Sequence, residues 1–147
     1  MAKRKYTTRH LAVVMARTCA ENRCRDVAVL DLRKLSPVTD FFVVATGTSS
    51  RQMGAAADRA LAAGEALAQT PFGVEGDEAA EGAEASRWVL IDYVDVVVHL
   101  FTDESRGFYD LELLWGDAPR VNWQRGWNPR TEEPPPQQGQ LSMTALD

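Results

Sequence analysis

Arg87-Trp88-Val89-Leu90-Ile91-Asp92-Tyr93-Val94-Asp95-Val96-Val97-Val98-His99-Leu100-Phe101 is the stretch that decides the fold. Two runs rich in β-branched and aromatic residues flank a polar break, the pattern of two strands joined by a tight turn. If Tyr93 and Val94 form a two-residue turn, Asp92 lies opposite Asp95, Leu90 opposite Val97, and Trp88 opposite His99. Side chains alternate along a strand and cross-strand partners share a face. One face therefore presents Trp88, Leu90, Asp92, Asp95, Val97 and His99, and the other Val89, Ile91, Val96, Val98 and Leu100. The second set is plain core. The first mixes a tryptophan, a histidine and two facing acids with aliphatics, an interface-like composition. Its competing reading is a face covered by a helix, with Trp88 in the core and His99 hydrogen-bonded. Tyr-Val also specifies the turn weakly, because primed two-residue turns favour Asn-Gly.

Working outward, residues 27–32 and 41–46 are apolar on both faces, as covered strands are. Between them Leu35-Ser36-Pro37-Val38-Thr39-Asp40 has turn chemistry. Leu11, Val14, Met15, Thr18 and Cys19 recur at helical spacing and predict a helix over residues 8–25. After Gly47, Ser49 and Gln52 stand at capping-box spacing and open a long helix with the inner stripe Met53, Ala57, Ala60, Leu61 and Leu67. Residues 69–86 break the pattern: a short extended piece, then an acidic surface loop over 75–84. The hairpin strands span residues 87–93 and 95–101. A last helix is expected over 103–115, burying Phe108, Leu111 and Trp115. The order α-β-β-α-β-β-β-α predicts an α/β (α+β) fold with a small mixed β-sheet flanked by helices. Domain boundaries follow: a flexible basic N-terminus over 1–7, a domain over 8–123, and a Pro/Gln-rich tail over 124–147 with too little to bury.

Composition bounds the function. The 147 residues, 45% hydrophobic and 25% charged, suffice for one buried core. The net charge of -5 is uneven: residues 1–20 carry five basic residues and no acid. That leaves 11 basic against 21 acidic residues elsewhere, a body of -10. Nucleic-acid binding through a clustered basic face is disfavoured, and sequence-specific binding is not expected. No apolar run approaches the ~18 residues of a membrane span. No charged start leads into an apolar run and cleavage site, so a cytoplasmic protein is expected.

Catalytic constellations fit poorly. A Gly47-Thr48-Ser49-Ser50 turn after a strand, together with Asp31, Asp92 and Asp95, raises the possibility of a metal-dependent nucleotidyl or phosphoryl transferase. Its carboxylates, however, sit across a turn rather than two apart on one strand, and no P-loop lysine follows Gly47. No serine lies in a nucleophile elbow, and His99 has no evident sequence partner. Cys19 and Cys24, with His10 and His99 as the only histidines, make a poor zinc set and read as reduced packing residues. No catalytic residue, metal site or cofactor is expected, and the chain reads as a non-enzyme.

With these segments in hand, the chain resembles the ribosomal silencing factor family, the Iojap-like proteins of bacteria and organelles. The carriers lie between Leu11 and Pro119: Asp26-Val27-Ala28-Val29-Leu30-Asp31-Leu32, the run from Ser36 through Gly47-Thr48-Ser49-Ser50-Arg51-Gln52, Glu75-Gly76, the hairpin Trp88 to His99, and Glu104-Ser105-Arg106-Gly107-Phe108-Tyr109-Asp110-Leu111-Glu112-Leu113-Leu114-Trp115. The resemblance implies a nucleotidyltransferase-like fold without its catalytic acids. It implies binding to the large ribosomal subunit through its protein number fourteen, on the face that meets the small subunit. Bound there, such a protein blocks subunit joining sterically and slows translation under nutrient limitation. Homodimers are also implied. Trp88, Asp92, Asp95 and His99 match the family's hairpin positions, while Arg51, Arg106, Tyr109 and Trp115 match polar and aromatic positions of the two later helices. Together with Leu90 and Val97 of the hairpin face, these form the expected partner-binding set.

Three departures qualify the match. Val94 stands where many members have glycine, Leu113 replaces a frequent arginine, and the loop over 77–86 is long and acidic. An acidic body suits a basic ribosomal protein better than bare RNA phosphates. A large-subunit assembly factor would use the same surface, and the transferase is the remaining alternative.

Overall fold

The β-branched runs form a five-stranded mixed sheet in the computed structural model, which describes residues 7–76, 88–110 and 115–128. In chain order the elements are α1 (Thr8–Glu21), β1 (Arg25–Asp31), β2 (Phe41–Thr46), α2 (Ser50–Ala66), β3 (Gly73–Gly76), β4 (Trp88–Asp92), β5 (Val96–Phe101) and α3 (Asp103–Tyr109). The sheet runs β1-β2-β5-β4-β3, with β2 and β5 parallel and every other pair antiparallel. The expected α+β class and mixed sheet are what the chain adopts.

Helices α1 and α2 cover one face. Leu11, Met15 and Cys19 of α1 and Met53, Ala56 and Ala60 of α2 pack on Val29, Val43, Ile91, Val98 and Leu100. Most inward residues of α2 are small, so the helix sits close. At Gly64 a Cβ would come within 2.3 Å of the Tyr93 hydroxyl, which forbids any larger residue there. Gly64 thus belongs to the inner stripe, while Leu61 and Leu67 lie at its border, partly buried.

Helix α1 ends at Glu21 rather than near Arg25. Arg23 turns left-handed at φ 77, and the Cys24 N–H donates to the Cys19 carbonyl at 3.0 Å. That closure is a Schellman motif, and its left-handed residue is not the usual glycine. At the start of α2, Ser49 caps the Gln52 N–H as its spacing predicts. The reciprocal bond falls one residue upstream, because Gln52 Oε1 accepts from the Thr48 N–H at 2.8 Å. Helix α3 stops at Tyr109, short of the expected Trp115, because Asp110 takes a left-handed conformation.

Residues 115–128 wrap around the β1 edge. Asp31 N–H donates to the Pro119 carbonyl, Val121 N–H to that of Val29, and the Trp123 indole to that of Val27. This pairing covers a sheet edge that would otherwise present open backbone groups. Trp127 continues past the expected domain end at Trp123. Its ring lies 5.2 Å from that of Trp123, and its indole N–H donates to Glu21. Arg17 holds the same strap by donating to the carbonyls of Trp123 and Arg125. The two tryptophans supply apolar area that the polar composition after Trp123 had masked. The expected acidic loop over 77–86 and the tail from 129 onward lie outside the described residues.

Candidate functional site

The sheet face away from α1 and α2 is the unusual surface. β4 and β5 pair antiparallel with Trp88 opposite Phe101, Leu90 opposite His99, and Asp92 opposite Val97. The hairpin register is therefore two residues away from the one expected. Val94 and Asp95 form its turn, and the Tyr93 N–H donates to the Val96 carbonyl at 2.8 Å. A slip of two keeps every side chain on its expected face. Trp88, Leu90, Asp92, Val97 and His99 do share one side, while Val89, Ile91, Val96, Val98 and Leu100 are all buried on the other. Asp95 is the exception. It is exposed in the turn rather than paired with Asp92, and its carbonyl accepts from the Asp40 and Phe41 N–H groups.

Burial grades across this face. Trp88, Leu90, Asp92 and Val97 are half-buried, whereas His99 and Phe101 are covered. Phe42 meets the His99 ring edge-on at 4.6 Å, and Phe101 stacks on it at 5.9 Å. Trp115 meets Phe42 edge-on in turn, at 6.2 Å. Neither nitrogen of His99 has a hydrogen-bond partner among the described residues. Burial in this aromatic setting lowers its pKa to about 4, against an opposing pull from Asp92. His99 is therefore a neutral imidazole behind the half-buried row. This departs both from a histidine reaching out to a partner and from a satisfied core histidine.

The other expected residues divide. Arg51 is exposed in the first turn of α2, where it borders a cleft of about 580 Å³ between the starts of α2 and α3. Arg106 is turned inward, donating to the Asp26 carbonyl at 2.6 Å and to the Thr46 hydroxyl at 2.7 Å. It thereby braces the irregular start of β1. Trp115 is half-buried against Leu30, Leu32, Ala118 and Phe42. The Tyr109 side chain, Leu111 and Leu113 lie outside the described residues, as does the side chain of Phe108.

Two features of the surface escaped the sequence reading. Phe101 alternates with Val97 and His99 and so extends the mixed face, and the register sets it opposite Trp88. The expected short extended piece is β3, and what was not foreseen is its place at the sheet edge beside β4, with Glu75 opposite Leu90. Just before it, Phe72 is 81% exposed and donates its N–H to the Asp92 carbonyl. Four residues of strand between a proline and a glycine carry too little pattern to fix such a pairing.

Two of the three carboxylates of the transferase alternative, Asp31 and Asp92, are committed locally. Asp31 is gripped by Arg33 at 2.7 and 2.9 Å, a pairing that holds its carboxyl below the ordinary range. Asp92 accepts from the Val94 N–H at 2.7 Å. Among the described residues no three His, Cys, Asp or Glu side chains converge as metal ligands. No helix among those residues is long and apolar enough to cross a membrane.

Comparison with known proteins gives this surface a context. A family model described as "ribosomal silencing factor during starvation" matches residues 5–145. Ribosomal silencing factor RsfS of Bacillus subtilis is 36% identical over 115 residues, covering 78% of this chain and 92% of the relative. A crystal structure of a Chromobacterium violaceum protein aligns with a TM-score of 0.67 at 32% identity, over 76% of this chain and 88% of the other. The mouse protein named "mitochondrial assembly of ribosomal large subunit protein 1" is 30% identical over 97 residues, covering 65% of this chain and 40% of its own.

Proposed function

The chain belongs to the ribosomal silencing factor family, and from that premise we propose that it binds the large ribosomal subunit through its protein number fourteen and blocks subunit joining. Membership itself implies ribosome-associated regulation of translation. Steric exclusion at the intersubunit face needs only affinity and bulk, with no catalytic group. The observation that carries the reading is the half-buried row Trp88, Leu90, Asp92 and Val97. It offers an aromatic anchor and aliphatic area beside acids, on one exposed strand pair. Tryptophan anchors of this kind dominate binding energies. Asp92, exposed Asp95 and neighbouring Glu75 give the row a negative border that complements a basic protein partner and repels bare RNA phosphates.

Within this reading Arg51 and Trp115 flank the contact, and Tyr109 is a further partner-binding residue. His99 and Arg106 support it from behind, the first by packing and the second by bracing β1. The setting is the cytoplasm, and two copies of the chain form a homodimer in solution. Assembly of the large subunit is the second reading. The name of the mouse relative favours it, and it would use the same surface.

Sucrose-gradient sedimentation of tagged protein from growing and starved cells tests the proposal. The expected result is co-sedimentation with free large subunits, rising on starvation, with a shift of seventy-S particles to free subunits. Trp88→Ala should reduce that co-sedimentation by about tenfold or more while its thermal melt stays cooperative. Undiminished co-sedimentation of a folded Trp88→Ala protein would remove the hairpin face from the interface. Accumulation on precursor rather than mature subunits would favour assembly over silencing.

A further inference from the structure

We propose that Cys19 and Cys24 form a redox-active dithiol, a site of reversible modification at which a hydroperoxide converts the pair to an intramolecular disulfide. The two residues look unremarkable in sequence, with four residues between them, Cys19 in α1 and Cys24 just beyond its end. The end of α1 brings them together. In a Schellman closure the residue three before the helix cap and the second residue beyond it meet through their side chains. With Asn22 at the cap and Arg23 left-handed, those two positions are Cys19 and Cys24. Their backbones are tied by the 3.0 Å bond from the Cys24 N–H to the Cys19 carbonyl, and the Arg23 N–H donates to Ala20.

A Schellman contact of two small apolar side chains would have the same backbone. Three observations distinguish this pair. The Cys19 thiol, set against Cys24 by this closure, favours the Cys24 thiolate, while its own pKa is raised by Cys24 and by burial. Gln52 Nε2 reaches the Cys24 Sγ at 3.4 Å while also donating to the Asn22 carbonyl at 2.7 Å. Both groups favour a thiolate, and they hold the Cys24 pKa below the ordinary thiol range despite the opposing effect of burial. Accessibility is graded too, since Cys19 is fully buried whereas Cys24 keeps 8% of its surface open. A low-pKa thiol that is the less buried of the two, beside a fully buried second thiol, is the order expected of an attacking and a resolving cysteine.

The chemistry balances without any other group of the protein. The Cys24 thiolate attacks one peroxide oxygen and the O–O bond breaks. The departing oxygen takes a proton and leaves as water or an alcohol, and Cys24 becomes a sulfenic acid. The Cys19 thiol then loses its proton and attacks the Cys24 sulfur, the S–O bond breaks, and water leaves. Two electrons pass from the sulfurs to the peroxide, and a thiol reductant reverses the result by exchange.

The full chain has two cysteines, and trypsin cuts after Arg23, between them, so the product is directly readable. Reduced protein is treated with one equivalent of hydrogen peroxide, unfolded, alkylated with iodoacetamide, digested and weighed. The expected result is a mass loss of about 2 Da with no alkylation, and two peptides joined between Cys19 and Cys24. In Cys19→Ser the sulfenic acid on Cys24 should persist and be trapped by dimedone. In Cys24→Ser, Cys19 should remain fully alkylatable. Alkylation of both cysteines in the treated wild-type chain, a sulfinic acid on Cys24, or a disulfide joining two chains would each overturn the proposal.

Discussion

The two faces of the β4–β5 hairpin are made from alternate residues of the same strands, yet they have been finished differently. Beneath α1 and α2, Val89, Ile91, Val96, Val98 and Leu100 are buried with no polar side chain among them. One residue along each strand, the opposite face holds Trp88, Leu90, Asp92 and Val97 half-buried and a histidine whose ring nitrogens lack partners among the described residues. At these five positions the first face is saturated: apolar area is removed from water and none of the five side chains needs a bond. The second carries apolar area still in contact with water and polar groups that water or another molecule can serve. Stability and recognition are thus divided between faces by the two-residue period of a strand.

The comparison is broken most severely from the saturated side. Ile91 is fully buried between the sheet and the helices. Ile91→Ala should cost about 2–5 kcal/mol, a large share of the roughly 5–15 kcal/mol that holds a domain folded. Chemical denaturation should show a midpoint shift with an unchanged slope. A cost below about 1 kcal/mol would mean that the helix-covered face is no better packed than its opposite.

His99 gives the next effect, and it depends on pH. Its pKa is about 4 when folded and 6.5 ordinarily, so between those values the unfolded chain binds a proton that the folded chain does not. Stability must then fall as pH falls from about 6.5 toward 4, by on the order of 3 kcal/mol in total. Above pH 6.5 both states are neutral at this site and its contribution is flat. His99→Phe keeps a ring between Phe42 and Phe101 and removes the titration. Denaturation midpoints for this variant should lose that part of the acid slope, and an unchanged slope would assign it elsewhere.

Trp88→Ala comes third in stability, although under the proposed function it is the first to test for ribosome binding. Half-buried at the start of β4, Trp88 should cost about 2 kcal/mol on truncation, roughly half the figure for a core tryptophan. A cost equal to that of Ile91→Ala would make the outer face part of the core and erase the contrast between the two.

How much of this was legible in the sequence follows from which physical signals are local. Alternation in Trp88-Val89-Leu90-Ile91 and Val96-Val97-Val98-His99 assigned both faces, and the Ser49–Gln52 spacing located the α2 cap. The register was not legible, because Tyr93-Val94-Asp95 contains no residue that demands one turn, and a slip of two preserves every facing. Helix ends failed where non-glycine residues turn left-handed, at Arg23 and Asp110, since propensity gives no warning there. The Cys19–Cys24 contact was invisible for the same reason: it exists only once Arg23 has closed the helix. Of the candidate site, the strand residues came together as their pattern required, whereas the inward bonding of Arg106 was not legible. Its partners, the Asp26 carbonyl and the Thr46 hydroxyl, lie 80 and 60 residues away in sequence.

The smallest effect concerns the turn that sets the register. Val94 sits at φ 74, where its branched side chain meets the backbone, and its isopropyl group is half exposed and gains little from packing. Such a conformation costs about 1–3 kcal/mol for a residue with a Cβ. The turn holds because Asp92 accepts from the Val94 N–H and the Tyr93 carbonyl accepts from the Asp95 N–H. Val94→Gly removes the strain but gives the unfolded chain about 0.5–1 kcal/mol of extra freedom. The balance should stabilise the protein by about 1 kcal/mol, raising the melting temperature by about 4 °C. A lower melting temperature would show that the valine stiffens the hairpin more than it strains it. The register would then rest on the flanking strand pairs, since those pairs alone would remain to hold Asp92 opposite Val97.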